Sequence, residues 1–473
     1  MVHRGYILHV RGIPLSDQRK KVLVIGAGIS GFAVARYMAN AGMHVVLSDA
    51  KAEEQLAKDA QIRDHIKELR AQGISCVFGA QGEELLDGVS LLVLSPAVPE
   101  RIPLVCAARE RSIRVTTEVE IAGEIARAPL CAVTGTNGKT TTTTLLGELL
   151  RTHYPLVGVG GNIGVPLIDV VQEVPESGII AAEISSYQME ATQHFHVHIA
   201  AELNVTPDHI VRHGSMEIYQ AMKEKLFAAQ TAGDFLVLNY DDMRTRSMAE
   251  RAKGRICFFS RQAQLESGAF VREGFLVMRW DGKEYEFVHV SELGIRGGHN
   301  VENALAALAM AFLAEVPPEK MLPVLRGFKG VEHRIVFVRN LKGVPYYNDS
   351  KATNTDSAIK ALEAFDGHIV LIAGGDDKLT DLTEFMALVR ACVDTLILVG
   401  AAAERFAAAA ADAGMEAAQI HHAGYDMEAA VRAAYRLAAP PQTVLLSPAC
   451  ASFDMYSGYE ERGRDFKRIV NGL

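Results

Sequence analysis

The stretch Cys131-Ala-Val-Thr-Gly-Thr-Asn-Gly-Lys-Thr140 indicates the fold, because a short apolar run leads directly into a glycine loop. The same order recurs where Val22–Ile25 meets Gly26-Ala-Gly28, and where Ile369–Ile372 meets Gly374-Gly375. Each apolar run predicts a buried strand, and each glycine stretch predicts the turn into a helix. Strands that alternate with helices form parallel sheets, since a helix supplies the crossover between them. The sequence therefore predicts an α/β protein with ligands at the carboxyl ends of its strands.

Three such units, far apart in 473 residues, indicate three α/β domains. We place the boundaries near Thr116 and near Gly330, in the segment Gly-Phe-Lys-Gly-Val-Glu-His-Arg. The predicted domains are 1–116, 117–330 and 331–473. With 49% hydrophobic and 22% charged residues, the composition is that of a globular chain and not of a disordered one.

Charge and cysteine usage exclude several classes of protein. The chain has 48 Lys and Arg against 57 Asp and Glu, a net charge of −9, which disfavours nucleic-acid binding. Its six cysteines form no Cys-x-x-Cys pair, so free thiols in a reducing compartment are expected. Neither a signal peptide nor an apolar stretch of about 18 residues is found. We expect a cytoplasmic protein with no membrane span.

The first glycine loop has the spacing Gly26-x-Gly28-x-x-Gly31, and Asp49 ends the next predicted strand. Glycines let the backbone approach a phosphate, the helix N-terminus attracts its charge, and a carboxylate can accept from ribose hydroxyls. A nucleotide site is the interpretation, with NAD as the default ligand of such a motif. The alternative is a tight turn that serves packing alone.

The second loop, Gly135-Thr-Asn-Gly-Lys-Thr140, predicts a phosphate site. Backbone N–H groups surround phosphate oxygens, Lys139 adds a positive charge, and a threonine hydroxyl can bind Mg²⁺. Val133 stands where the longer G-x-x-x-x-G-K-[ST] pattern requires its first glycine, so this is a shorter variant. The alternative is a glycine-rich turn with an unrelated lysine.

Polar residues inside apolar surroundings mark further candidates. Glu183 ends the run Ile179–Ile184, where a buried carboxylate needs a cation or hydrogen bonds; Mg²⁺ is one partner and a salt bridge the alternative. Asp208 and His209 follow another strand, with Lys223 one helix further on, and a simple cap is the alternative. His194, His196 and His198 alternate along a predicted strand, which we interpret as a structural face and not a zinc site.

The last third holds three polar segments at predicted strand ends: Tyr347–Asn354, Gly374–Lys378 and Ser447–Asp454. Their lysines can bind a carboxylate or a phosphate, and Ser452 can donate to either. Cys450 has no basic partner by spacing, so we expect a small packed residue. The residues alone thus indicate an ATP-dependent enzyme with a second nucleotide-like site and an anionic co-substrate.

The motifs resemble those of a known family. Thr134–Thr141 resembles the ATP loop shared by Mur ligases and folylpolyglutamate synthases. Four further segments resemble the D-glutamate-adding branch of the Mur ligase family, from about Lys21 to the C-terminus: Gly160–Gly164, Glu183–Glu190, Asn204–His209 and Leu446–Asp454.

The resemblance implies a Rossmann-like N-terminal domain, a central P-loop-type ATPase domain with a mostly parallel sheet, and a Rossmann-like C-terminal domain. It implies ATP-dependent addition of D-glutamate to UDP-N-acetylmuramoyl-L-alanine through an acyl phosphate, as a step of peptidoglycan precursor synthesis. Two Mg²⁺ ions are expected, and uridine diphosphate takes the place of NAD at Gly26–Gly31. A monomer is expected, with small-molecule substrates as its partners.

The resemblance also assigns residues. By similarity, Lys139, His209, Lys223, Arg334 and Lys351 are catalytic, and Lys223 corresponds to a lysine that is carbamylated in the family. The metal ligands implied are Thr140, Glu183, His209 and Lys223. The ATP residues implied are Gly135, Thr136, Asn137, Gly138, Lys139, Thr140, Thr141, Asn300, Asn303, Arg334 and Asp349. The UDP-substrate residues implied are Ile29, Ser30, Asp49 and Asn162, and those for D-glutamate are Thr353, Lys378, Ser452 and Tyr459.

Three alternatives remain. A nicotinamide-dependent oxidoreductase accounts for the first glycine loop and Asp49 only, and leaves Lys139, Glu183 and Lys351 without a role. A sibling ligase or a folylpolyglutamate synthase would use another amino acid or substrate, and the segment Leu446–Asp454 argues against both. A nucleotide-binding scaffold without activity would have no need of Lys139, Glu183, His209 and Lys223.

Overall fold

The computed structural model describes residues 9–10, 13–14, 20–208, 210–377 and 379–473, and the side chains of 9, 10, 13, 14, 60 and 211 are outside that description. The chain forms two compact units. The first consists of Met1–Ser291 and Glu302–Leu325, and the second of Glu292–Val301 and Arg326–Leu473.

The N-terminal part of the first unit is a parallel sheet with the strand order β5-β4-β3-β6-β7 and helices between the strands. Strand order reverses beside β3, so the loops after β3 and β6 are neighbours, as in dinucleotide-binding folds. The elements are β1 (His9–Val10), β2 (Ile13–Pro14), β3 (Lys21–Ile25), α1 (Ile29–Asn40), β4 (His44–Asp49), α2 (Glu53–Leu56), α3 (Ala60–Ala71), β5 (Ser75–Phe78), β6 (Val89–Leu94), α4 (Pro103–Glu110), β7 (Arg114–Thr117) and α5 (Glu118–Ile125).

The rest of the first unit is built on a sheet that follows β16-β15-β14-β13-β12-β11-β8-β10-β9 in the described part of the chain. Pairing is parallel from β9 to β14 and antiparallel from β14 to β16. The elements are β8 (Leu130–Thr134), α6 (Lys139–Arg151), β9 (Val157–Gly161), α7 (Leu167–Glu173), β10 (Ile179–Glu183), α8 (Ser186–Met189), β11 (Ile199–Glu202), α9 (Ile210–His213), α10 (Met216–Ala228), β12 (Phe235–Asn239), α11 (Met243–Ser247), β13 (Arg255–Ser260), β14 (Gly268–Arg272), β15 (Phe275–Trp280), β16 (Lys283–His289), α12 (Gly298–Leu313) and α13 (Pro318–Gly327).

The second unit has a sheet of order β17-β18-β22-β19-β20-β21, parallel except for the β17–β18 hairpin. Its elements are β17 (Val336–Leu341), β18 (Val344–Asn348), α14 (Thr355–Leu362), β19 (Ile369–Gly374), α15 (Thr383–Cys392), β20 (Val393–Val399), α16 (Ala403–Asp412), β21 (Ile420–His422), α17 (Met427–Leu437), β22 (Thr443–Leu446) and α18 (Tyr459–Gly472). Short 3₁₀ helices in the two units cover Glu83–Leu86, Met248–Arg251, Val290–Glu292 and Ala417–Gln419.

The predicted α/β class with mostly parallel sheets is confirmed. The strands read as near-continuous apolar runs because helices cover both faces of a parallel sheet. All residues of β8, β10, β11 and β19 are buried. Among the described residues, no helix combines the length and the apolar character that a membrane crossing requires.

One expectation about local structure is wrong. His194, His196 and His198 precede β11 instead of lying along a strand, because β11 begins only at Ile199. The Asp234 carboxylate accepts from both His196 and His198, at 2.9 and 3.0 Å, which supports the predicted structural role of this cluster.

Two methionines of the first unit provide a matched test of its core. Met248 is fully buried in the hydrophobic core, whereas the Met243 side chain is 86% exposed. Met248→Ala should lower the free energy of unfolding by about 2–5 kcal/mol, because it leaves a cavity. Met243→Ala should change it by less than about 0.5 kcal/mol. Urea unfolding followed by the fluorescence of the single tryptophan, Trp280 in β15, measures both; equal losses would contradict the assigned burial.

Candidate active site

The loop between β8 and α6 has the backbone geometry of a phosphate site. Gly138 immediately precedes α6 with φ of +86°, and a Cβ there would collide with Asn303 Oδ1. Only glycine therefore fits this position without strain. Lys139 is the first residue of α6, a helix of 13 residues whose N-terminus carries the positive end of the helix dipole, which attracts an anion.

Asn204, in the segment after β11, fixes this loop. Its side chain accepts from the Asn137 N–H at 2.8 Å and donates to the Asn137 carbonyl at 3.1 Å. The Asn204 carbonyl accepts from the Thr136 N–H, and the Thr136 hydroxyl lies 3.1 Å from the Tyr219 hydroxyl. The loop is thus held in shape by neighbouring elements and not by its own hydrogen bonds alone.

The residues predicted to bind ATP in the first unit lie together in this loop, on the first turn of α6 and on the neighbouring α12. The Lys139 ammonium donates to the carbonyls of Gly135 and Thr136 at 2.7 and 2.8 Å. Thr140 and Thr141 are buried on the first turn of α6. The Asn303 side chain accepts from the Thr142 hydroxyl at 3.2 Å, which places α12 beside α6.

Glu183 lies at the carboxyl end of β10, next to β8 in the sheet, and is only 2% exposed. Its Oε1 accepts from the Asn162 side-chain amide at 2.8 Å, whereas its buried Oε2 has no hydrogen-bond partner among the described residues. A buried carboxylate oxygen without a donor is costly unless a cation binds it. The arrangement therefore fits Mg²⁺ at Oε2, and it joins Asn162 to the same site.

Lys223 reaches the same edge of the sheet from α10 and is 1% exposed. Its ammonium lies 3.4 Å from the Thr134 hydroxyl, 5.0 Å from the centre of the Tyr219 ring and 3.8 Å from Glu202 Oε1. Burial lowers the pKa of Lys223, although the charge of Glu202 opposes the shift. A lysine with a lowered pKa has more of the neutral, nucleophilic amine at a given pH.

Glu202 and Asn204 were missed as site residues by the sequence analysis. In the segment Asn204–His209, the sequence predicts functional roles only for Asp208 and His209. Glu202 carried the signal that identified Glu183, a charge at the end of an apolar run.

The glycine loop after β3 is also closely packed. A Cβ at Gly31 would collide with the Gly26 carbonyl, and the Ser95 hydroxyl donates to that carbonyl at 2.8 Å. Asp49 accepts from the Ala27 N–H at 2.8 Å, so its carboxylate holds the loop. Ile29 at the start of α1 is 51% exposed, an apolar surface beside the loop.

In the second unit, Asp349 lies just after β18 and is 5% exposed. Its carboxylate accepts from the Ser447 hydroxyl at 2.8 Å and from the Ile335 N–H at 3.3 Å. Burial raises the pKa of Asp349 to about 7, against these hydrogen bonds and the charge of Arg334. The buried Arg334 Nε has no hydrogen-bond partner among the described residues, so this guanidinium can still bind an anion.

Arg462 on α18 fixes two loops of the second unit. This fully buried guanidinium donates to the Ser350 carbonyl and hydroxyl, and to the carbonyls of Cys450 and Ala451. The loop before Lys351 and the loop before Ser452 are thereby joined. Cys450 is itself buried, and burial raises the pKa of its thiol to about 12, so a packed residue is confirmed.

Two predicted residues, His209 and Lys378, lie outside the described residues. The other predicted residues divide between the units. The first unit holds Ile29, Ser30, Asp49, Gly135, Thr136, Asn137, Gly138, Lys139, Thr140, Thr141, Asn162, Glu183, Lys223 and Asn303. The second holds Asn300, Arg334, Asp349, Lys351, Thr353, Ser452 and Tyr459. In the described part of the chain, no group of three His, Cys, Asp or Glu side chains has metal-binding geometry.

These sites define a class: an α/β protein with a phosphate loop, a buried carboxylate and a buried lysine at one sheet edge. Three family models match the chain: "Mur ligase MurD-like, N-terminal domain" over residues 20–117, "Mur ligase middle domain" over 133–311, and "Mur ligase, glutamate ligase domain" over 333–450. The chain belongs to the Mur ligase family.

Curated relatives extend over nearly the whole chain. A UDP-N-acetylmuramoylalanine–D-glutamate ligase of Thermoanaerobacter pseudethanolicus is 43% identical over 96% of this chain and 98% of its own. One of Pelotomaculum thermopropionicum is 45% identical with the same coverage. Among solved structures, the UDP-N-acetylmuramate-alanine ligase MurC of Thermotoga maritima has a TM-score of 0.59 at 19% identity, covering 96% of this chain and 99% of its own. That likeness supports the fold alone.

The buried Asp349 gives a pH-dependent prediction for the second unit. Its pKa is higher in the folded chain than in the unfolded one, so its contribution to stability is complete below about pH 4 and is lost as the pH rises to about 7. Between pH 5 and pH 8, the free energy of unfolding of Asp349→Asn should fall by on the order of 1–3 kcal/mol less than that of the unmodified chain. Urea unfolding followed by far-ultraviolet circular dichroism at both pH values measures it.

The exposed Asp412 at the end of α16 provides the control. Asp412→Asn should keep the pH dependence of the unmodified chain. An unchanged pH dependence in Asp349→Asn would contradict the assignment of a raised pKa to Asp349.

Proposed function

We propose that this chain is the ATP-dependent ligase that joins D-glutamate to UDP-N-acetylmuramoyl-L-alanine through an acyl phosphate, in peptidoglycan precursor synthesis. The observation that carries the proposal is the phosphate loop at Gly135–Thr140, in a chain 43–45% identical to curated D-glutamate ligases along 96% of its length. The family models that match residues 20–117, 133–311 and 333–450 also support it.

The loop before α6 would bind the ATP phosphates. The N-terminus of α6 supplies a positive potential beside this loop. Lys139, whose ammonium already lies against the loop carbonyls, would turn to a phosphate oxygen when ATP binds. Asn303, fixed beside α6 by Thr142, would hold the nucleotide from α12.

Mg²⁺ would be held by Thr140 and by Oε2 of Glu183, which has no hydrogen-bond partner in the described part of the chain, and a second ion by His209 and Lys223. When bound, Mg²⁺ neutralises the charge of the phosphates during transfer. Lys223 as an amine is a poor cation ligand. As a carbamate it would present carboxylate-like oxygens, which are the ligands that Mg²⁺ prefers.

The glycine loop after β3 would bind the uridine nucleotide. Ser30 and the N-terminus of α1 would face the diphosphate, and the exposed Ile29 would contact the base or ribose. The Asp49 carboxylate already accepts a hydrogen bond from the Ala27 N–H of the loop. Its remaining lone pairs would accept hydrogen bonds from hydroxyl groups of the ligand. Asn162 would bind the sugar-phosphate part, in keeping with its position against Glu183.

The second unit would serve both ATP and the amino acid. Arg334, whose Nε has no hydrogen-bond partner among the residues that the structure describes, would stabilise the transferring phosphoryl group. Asn300, Asp349 and Lys351 would be further contacts to ATP or the acyl phosphate. The residues proposed for D-glutamate are Thr353, Lys378, Ser452 and Tyr459. Arg462 would keep the loops that carry Lys351 and Ser452 in a fixed geometry.

The reaction proposed has two steps. A carboxylate oxygen of the UDP substrate attacks the γ-phosphorus of ATP, the bond to the bridging oxygen breaks, and ADP leaves. The neutral amine of D-glutamate then attacks the acyl carbon, phosphate leaves with the electron pair of the C–O bond, and the nitrogen loses a proton to solvent. Positioning and charge neutralisation supply most of the catalysis in such transfers.

The first test is ATP-dependent phosphate release with UDP-N-acetylmuramoyl-L-alanine and Mg²⁺, with D-glutamate, L-glutamate, meso-diaminopimelate or L-lysine added singly. Release only with D-glutamate is expected. Lys139→Ala should lower the rate by at least about a thousandfold, because a charge on the transferring phosphate loses its partner. Lys320→Ala, an exposed lysine on α13, should keep the rate. Release with another amino acid would assign a sibling activity, and no release would contradict the proposal.

Lys223→Ala tests the proposed carbamate. Turnover should be lost, because the buried site loses a metal ligand, and short carboxylates such as formate or acetate should restore part of it by entering the space vacated. Phosphate release at rising carboxylate concentration measures the rescue, with Lys139→Ala as the variant that no carboxylate should rescue. Absence of rescue would argue against the carbamate and leave the ligase assignment standing.

A further inference from the structure

Glu202 is a buried acid that the proposed mechanism leaves without a role. It is the last residue of β11, it is fully buried, and it is level with Thr134 of β8 in the parallel pairing. Paired residues of neighbouring strands point to the same face of a sheet. Glu202 therefore lies on the face where Lys223 donates to the Thr134 hydroxyl.

Neither carboxylate oxygen of Glu202 has a hydrogen-bond partner among the described residues. The nearest cation is Lys223, with Nζ 3.8 Å from Oε1. Burial raises the pKa of Glu202 to about 7; the charges of Lys223 and Lys139 oppose this shift, and those of Asp242 and Glu224 add to it. Burying a carboxylate without a hydrogen-bond donor lowers the stability of the folded chain. Its position beside Lys223 therefore suggests a role other than stabilisation.

We propose that Glu202 is a positioning residue that sets the chemical form of Lys223, pairing with the ammonium and opposing the carbamate until a divalent cation is bound. The inference rests on the carbamate of the proposed function. Glu202, which lies outside the proposed ligand set, controls that modification.

The chemistry follows from charge. Carbamylation joins the neutral ε-amine of Lys223 to the carbon of CO₂: an N–C bond forms, one C=O π pair moves to oxygen, and a proton leaves the nitrogen for solvent. The product is an anion. Beside Glu202 it replaces an attractive pair with two like charges in a water-excluded site, which favours the reverse reaction. A bound cation reverses that balance, because it attracts both groups.

The experiment measures the carbamate directly on the full chain, by ¹³C NMR after equilibration with ¹³C-bicarbonate at pH 8.5. Without metal, the Lys223 carbamate signal should be about tenfold stronger in Glu202→Gln than in the unmodified chain, as expected when a neighbouring like charge is removed. Adding Mg²⁺ should raise the signal of the unmodified chain to that of the variant. Lys223→Ala, which should lack the signal, identifies it.

Glu118→Gln is the matched control, since Glu118 is also a buried acid of the first unit but accepts from the Ile168 N–H at the start of α7. It should leave the carbamate signal unchanged. Glu202→Leu is a second variant, in which the charge is removed and an apolar side chain fills the buried position. Thermal melting followed by circular dichroism verifies that all variants are folded.

Equal metal-free signals in the unmodified chain and both Glu202 variants would overturn the proposal. A missing signal in all of them, with and without Mg²⁺, would overturn it as well. D-glutamate-dependent phosphate release by the same preparations decides the ligase function separately, so failure of the carbamate and failure of the proposed function are distinguishable.

Discussion

The first unit depends on a constraint that parallel sheets impose: strand interiors must be apolar, so polar chemistry is confined to strand ends. Every residue of β8, β10 and β11 is buried. The last residues of the latter two are the acids Glu183 and Glu202, and the loop after β8 binds phosphate in our proposal. Because β8 lies between β10 and β11, the three ends meet at one edge.

That edge concentrates charges in a place with little water. Lys223 and Lys139 both attract Glu202, and Glu183 ends the strand on the other side of β8. Among the described residues, one oxygen of Glu183 and both oxygens of Glu202 have no hydrogen-bond partner. In a stable core such groups are destabilising, and replacement by apolar residues is often favourable. Their retention is understandable if the substrates complete the site, since ATP brings negative charge and Mg²⁺ brings positive charge. The carboxylates of the site are then complementary in charge to Mg²⁺, and the lysines are complementary to the phosphates of ATP.

Much of this site was predictable from sequence, and the reasons differ by residue. Glycine spacing predicts the two loops, because positive φ at Gly138 and close approach at Gly31 exclude other residues. Glu183 was predictable from its charge in an apolar run. Contacts between residues far apart in the sequence were not predictable. Asn204 forms hydrogen bonds with Asn137, 67 positions away, and Glu202 lies beside Lys223 only because of the position of α10.

The buried arginine and the buried lysine differ in how completely their hydrogen-bond donors are satisfied. Arg462 makes four hydrogen bonds to carbonyls and a hydroxyl around it, so its charge is fully used in holding two loops. Lys223, equally buried, has one hydroxyl at 3.4 Å and one carboxylate at 3.8 Å. A guanidinium with satisfied donors is structural. An ammonium with long contacts and a lowered pKa is more easily converted to another chemical form, as the carbamate that we propose at Lys223 requires.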